Sequence, residues 1–153
     1  MHPNIVYIAG PMRGYPLFNF PAFDAARDAW AARGWTVISP ADMDRDIDGL
    51  HPEAMDGSSP TSSPDKPFSH YMRRDIEALL RSTAIAFLPG WEKSVGANVE
   101  RVVAGALNLE MYDALTFERA AALPESATPV ALCDQLDRMI LKYGSAAVHH
   151  ITV

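Results

Sequence analysis

A chain of 153 residues, 48 % of them hydrophobic, has enough apolar surface to support one domain and core without metal or disulfide staples, and its modest charge excludes general disorder. The formal net charge of -6 argues against an extended nucleic-acid surface, because phosphate binding depends on clustered Lys and Arg. No apolar run reaches the length of a membrane span, and the one cysteine, Cys133, precludes an internal disulfide and is expected to be a buried, inert thiol.

The first residues, Met1-His2-Pro3-Asn4, lead straight into the β-rich run 4–9 without a basic region or cleavage site, so a first strand is expected, not a signal peptide, and with it a cytoplasmic location. Gly10-Pro11-Met12-Arg13-Gly14 then forms a turn. A helix is predicted over 21–33, with Asn19 as cap, Pro21 in the first turn, Phe23, Ala26, Trp30 and Ala31 on its apolar face and Gly34 as its stop. Residues 35–38 read as a second buried strand, completing a β-α-β unit and hence a parallel pair with a right-handed crossover. Residues 42–67 are polar and turn-rich and read as an irregular excursion of the kind that forms a lid or binding loop. Asp42, Asp44, Asp46 and Asp48 alternate there but lack the glycine and closing glutamate of a calcium loop, so a solvated acidic loop is expected.

A helix over 69–82 follows, anchored by Tyr71, Ile76, Leu79 and Leu80, with Arg73, Arg74, Glu77 and Arg81 facing solvent and Asp75 bordering the buried face. Residues 84–88 form a third strand, and 96–107 a third helix with Val99, Val102, Val103, Ala106 and Leu107 as its apolar face. Residues 109–114 are a possible fourth strand, 130–143 a final helix, and 146–153 an edge strand or a tail. The alternation of strands and helices predicts an α/β fold of the flavodoxin-like or Rossmann-like, three-layer kind, with a parallel sheet of four or five strands in a single domain.

Several sites are excluded by spacing. There is no P-loop lysine, no three-glycine dinucleotide fingerprint and no elbow serine, and the five histidines are not spaced as zinc ligands, so neither metal nor cofactor is expected. The candidate site lies beyond the third strand, where Ser94, Gly96 and Ala97 open a helix carrying Glu100. Taken alone, Glu100 reads as a first-turn glutamate that merely favours the helix dipole, and Asp75 as the surface partner of an arginine one turn away.

As an ordered set, Tyr7, the loop Gly10-Pro11-Met12-Arg13-Gly14, Asp75 and the run Ser94-Val95-Gly96-Ala97-Asn98-Val99-Glu100 resemble the nucleoside 2-deoxyribosyltransferase-like superfamily over about residues 4–107. The likeness is to its deoxynucleoside 5'-monophosphate N-glycosidases, and more to a branch frequent in phages and bacteria. The resemblance implies cleavage or transfer at the N-glycosidic bond, with Glu100 as nucleophile, Asp75 protonating or orienting the departing base, and Tyr7 hydrogen-bonding the nucleophile or the sugar. Monophosphate-cleaving members carry a serine at the place of Ser94 and an arginine in the first loop, here Arg13; a serine donates to a phosphate that an aspartate would repel. Gly10, Gly14, Gly96 and Asn98 would complete the substrate contacts, and Trp91 would stack on the base or cover apolar surface. Pro11, Met12 and the longer Gly90-Trp91-Glu92-Lys93 loop depart from the family pattern and leave the base unassigned. The resemblance also implies a homo-oligomer, a dimer or larger, acting on a small deoxynucleotide or nucleoside, with no nucleic-acid polymer or membrane as partner. Two other readings of the same residues are an NAD-cleaving glycohydrolase and a non-catalytic nucleotide-sensing or protein-interaction module.

Overall fold

The run Ile5–Ala9 is β1, and its alternation sorts side chains to two faces of a sheet: Val6 and Ile8 enter one apolar cluster, Tyr7 and Ala9 another. The computed structural model describes residues 3–52 and 66–120. After β1 come α1 (Phe20–Ala32), β2 (Thr36–Ile38), α2 (Pro40–Asp46), α3 (Phe68–Leu80), β3 (Ala84–Phe87), α4 (Val95–Ala106) and β4 (Glu110–Asp113). The four strands lie in the order β2-β1-β3-β4 and every pairing is parallel, with Tyr7 opposite Ile38 on one side and Ile85 on the other. The chain is thus an α/β fold with a four-stranded parallel sheet flanked by helices.

The two apolar clusters lie on opposite faces of the sheet. Phe20, Phe23, Ala26 and Trp30 of α1 pack on Val6, Ile8, Ala84 and Ala86, whereas Ala78 and Leu79 of α3 and Ala97 and Ala104 of α4 pack on Tyr7, Ala9, Ile85 and Phe87. β3 is buried at every position, as a strand covered on both faces must be. Among the described residues no helix is long and apolar enough to cross a membrane.

Several expected details differ. Asn19 precedes α1 as its cap, but its own backbone is left-handed (φ 60°) and its side chain turns back to donate to the Pro11 carbonyl at 2.8 Å instead of capping the helix. Residues 42–67 begin inside a helix and not as an irregular loop: Pro40 fits its first turn, and Asp42 and Arg45 complement its dipole. The aspartates there divide: Asp42 of α2 pairs with Arg27 at 2.5 Å, while Asp44 of α2 and Asp48 of the turn after it meet Arg74. Leu80, Ala106 and Leu107, expected on apolar faces, are exposed, and α4 fully buries Ala97, Glu100 and Ala104; of its expected apolar face Val103 packs half-buried against the core, and Val99 and Val102 are half-buried. Its close approach to the sheet needs small side chains, so Ala97 and Ala104 take the innermost positions and Val103 packs beside them. The lid reading of 53–65, the helix over 130–143, the tail and Cys133 fall outside the described residues.

Candidate functional site

The chain leaves β1 toward β2 on one side of the sheet and enters β3 on the other, so a crevice forms beyond the carboxyl ends of β1 and β3. A cavity of about 390 Å³ occupies that position, lined by Gly10 to Arg13 after β1, by Pro40 and Asp44 after β2, by Ser94 to Ala97 and Glu100 of α4, and by one side of α3. Its volume is in the range of small-molecule sites, and its lining mixes apolar side chains such as Phe18, Met12 and Met72 with charged groups.

Glu100 is a buried member of its lining. It falls in the buried stripe Ala97, Glu100, Ala104, spaced i, i+3, i+7, and is 4 % exposed, so it is no dipole-favouring surface residue. The Tyr7 hydroxyl donates to its Oε1 at 2.6 Å, a contact between β1 and α4 across 93 residues. A tyrosine wholly buried in an apolar strand must find such a partner. Burial first, and then the charge of Asp75, push the Glu100 carboxyl well above its ordinary range, against the opposing effects of the Tyr7 hydrogen bond and Arg74. Burial and the carboxylates raise the Tyr7 hydroxyl in turn, so it stays protonated and remains a donor.

Asp75 borders the cavity on α3 and is 8 % exposed. Its partner is the adjacent Arg74, whose Nη2 and Nε donate to Oδ1 at 2.7 and 3.0 Å, not an arginine one turn away. Burial raises the Asp75 carboxyl to about 6 although Arg74 pulls it down. Arg74, expected to face solvent, is withdrawn from it and also meets Asp44 and Asp48, with its Nη1 at 2.7 and 2.6 Å from one oxygen of each. The residues Tyr71, Arg74, Asp75 and Ala78 are spaced i, i+3, i+4, i+7, so helical periodicity places Arg74 on the inner side, and its charge alone suggested otherwise.

The remaining predicted residues are placed as follows. Ser94 lines the cavity and caps α4, its Oγ accepting from the Ala97 amide at 3.2 Å, which leaves its own proton available to a ligand. Gly96 lines the cavity, and a Cβ there would meet Met72 Sδ at 3.6 Å, an ordinary contact, so the fold itself admits a side chain. Gly10 lines it too, but a Cβ there would come within 2.7 Å of Leu88 Cβ, so this glycine is required by the packing of the strand ends. Arg13 stands exposed on the lining with its guanidinium 5.3 Å from the Phe68 ring centre. Gly14, at φ 79°, forms the turn beyond the lining. Trp91 also lies outside it, its ring tilted against that of Phe87 with the centres 4.7 Å apart. Asn98 is buried and directs its amide to the carbonyls of Trp91, Glu92 and Ser94, holding the loop before α4.

Lys93 and Phe18 also line the cavity and were not singled out from the sequence, and Asp44, expected in a solvated acidic loop, lines it as well. Phe18 is brought there by three successive left-handed residues, Leu17, Phe18 and Asn19, at φ 51°, 52° and 60°. Such a run is strained, at about 1–3 kcal/mol per residue, and periodicity gives no sign of it.

No curated protein and no solved structure matches the chain. Residues 4–113, which include every site residue described above, match the family described as Domain of unknown function (DUF4406). The chain belongs to the DUF4406 family.

Proposed function

We propose that this protein cleaves or transfers at the N-glycosidic bond of a deoxyribonucleoside 5'-monophosphate, with Glu100 as nucleophile. The observation that carries the reading is the Glu100 carboxyl, buried in the lining of the crevice, oriented by a 2.6 Å hydrogen bond from Tyr7 and accompanied by a second carboxyl, Asp75. Two neighbouring carboxylates whose ionisation is shifted by burial are the equipment of a double displacement at an acetal carbon. The strand order β2-β1-β3-β4 is that of the first strands of a flavodoxin-like sheet, which supports the likeness to the nucleoside 2-deoxyribosyltransferase-like superfamily.

In the proposed first step an ionised Glu100 oxygen bonds to C1' as the C1'–N bond breaks, and the departing base takes the proton held by Asp75. Water then attacks C1', the ester bond to Glu100 breaks, and the water proton returns to Asp75; a second base in place of water makes the reaction a transfer. Burial favours a protonated Asp75 up to about pH 6 and disfavours an ionised Glu100; the Tyr7 hydrogen bond and the Arg74 charge oppose that rise in Glu100 without cancelling it. A 5'-phosphate is favoured over a free hydroxyl by the amino end of α4, the Ser94 hydroxyl and the cations Lys93 and Arg13 along the same lining.

The test is incubation of the purified protein with a panel of deoxynucleoside 5'-monophosphates and the matching nucleosides, with chromatography for free base. Release from at least one monophosphate, faster than from its nucleoside, is expected. No release and no base exchange with any substrate would remove the proposal.

A further inference from the structure

We propose that Arg74 is the positioning residue of this site, fixing the Asp75 carboxylate against the cavity and tying it to the acidic turn that follows α2. Its effect on rate rests on the glycosidic reading; its effect on Asp75 does not.

Residues i and i+1 of a helix do not face one another, yet Arg74 places Nε and Nη2 at 3.0 and 2.7 Å from the same Asp75 oxygen. The guanidinium must fold back along α3 to do so. What holds it there is a second pair of carboxylates from a different part of the chain: Asp48 Oδ2 accepts from Nη1 at 2.6 Å, and Asp44 Oδ1 lies 2.7 Å from the same nitrogen. The side chains of Arg74, Asp44, Asp48 and Asp75 are exposed by 11, 5, 0 and 11 %, so solvent does little to screen the cluster. Asp48 is in turn held by Lys66 and by His70 Nε2 at 2.8 Å. The planar fork hydrogen-bonds Asp75 and Asp48 at once and brings its charge to Asp44, whose Oδ1 it meets as an ion pair without a hydrogen bond; the point charge of a lysine could not hold two carboxylates in this fixed geometry.

The groups acting on Asp75 are therefore Arg74 on its own helix, Asp44 and Asp48 from α2 and the turn after it, and Glu100 from α4, which hydrogen-bonds Tyr7 of β1. Lys66 and His70 reach it through Asp48. Arg74 is the nearest cation and opposes the upward pull of burial, Asp44 and Asp48 on the Asp75 proton.

Three variants test this: Arg74→Met, Arg74→Lys and Asp48→Asn, the last outside the cavity lining. Asp75 is followed by carboxyl carbon NMR across pH, a readout independent of turnover, and kcat and KM are measured with whichever deoxynucleoside monophosphate wild type cleaves. Arg74→Met is expected to raise the Asp75 midpoint by about one unit or more. Arg74→Lys should hold that midpoint nearer to wild type yet lower kcat at least about tenfold with KM little changed, because charge is kept and orientation is lost. Asp48→Asn should lower the midpoint by removing a carboxylate while also lowering kcat. Should Arg74→Met fail to fold, by circular dichroism, Arg74→Lys and Asp48→Asn still decide. An unmoved Asp75 midpoint in both Arg74→Met and Asp48→Asn, or in Asp48→Asn alone where Arg74→Met is unfolded, would overturn the proposal, as would wild-type kcat in Arg74→Lys. If wild type releases no base, the glycosidic reading fails and the NMR titrations still judge Arg74.

Discussion

Replacing Tyr7 by Phe isolates the hydrogen bond that orients Glu100. The ring is fully buried among Ala78, Ile85 and Phe87, and phenylalanine keeps it, so the apolar contribution is preserved and only the hydroxyl is lost. A hydrogen bond contributes about 0.5–1.5 kcal/mol to a neutral acceptor and about 1.5–3 to a charged one, so the variant loses more when Glu100 is ionised. The difference of about 1–1.5 kcal/mol corresponds to about one further unit of upward shift in Glu100. Glu100 is already raised in the fold, so the stability its proton provides is complete at low pH and is lost as pH rises through the folded value. Tyr7→Phe raises that value further, and the stability gap between variant and wild type must widen with pH. Denaturant unfolding at a series of pH values, with carboxyl NMR of Glu100, measures both quantities. A gap that stays constant or narrows with rising pH, or a Glu100 midpoint that moves down, would refute the reasoning.

Asp75→Asn removes a charge that raises Glu100, so the Glu100 midpoint should move down, opposite to Tyr7→Phe, while base release slows about 10²–10⁴-fold for loss of the acid. Asp75 is itself raised from 3.8 to about 6, so its contribution to stability is present below the lower value and lost through the upper one. Across that window, thermal unfolding should shift in favour of Asp75→Asn by up to about 3 kcal/mol. Gly96→Ala should fold normally, with stability unchanged or raised by up to about 1 kcal/mol, and should raise KM because its methyl enters the ligand's space; melting curves and steady-state kinetics check the two halves. Gly10→Ala should lose about 1–3 kcal/mol in denaturant unfolding, because the new Cβ meets Leu88 Cβ at 2.7 Å.

Much of the frame was legible because strands and helices alternate with clear punctuation. Pro21 and Gly34 bracket α1, and the apolar run before Pro89-Gly90 marks β3 as a fully buried strand. Tyr7, Asp75 and Glu100 could be named as an ordered set, but their meeting depends on which faces α3 and α4 turn to the sheet. Of the predicted apolar face of α4 only Val103 packs on the core, because close packing on the sheet selects Ala97 and Ala104 over larger residues, and Glu100 follows them inward. Arg74, Asp44 and Asp48 were read as solvated from their charge, since a buried ion cluster is recognised only when its partners are known. Asp44 and Asp48 are spaced i, i+4 and would share a helical face, a signal hidden by their alternation with Asp42 and Asp46. The left-handed turn that delivers Phe18 has no glycine to announce it.

The claim that Glu100 is the nucleophile is tested most directly by a rapid-quench reaction of wild type and Glu100→Gln with a deoxynucleoside 5'-monophosphate, following free base and intact protein mass together. Wild type is predicted to release base and to carry transiently a deoxyribosyl 5-phosphate ester that maps to Glu100, while the folded Glu100→Gln protein does neither. Undiminished base release by Glu100→Gln, or an adduct that maps to another residue, would contradict the account.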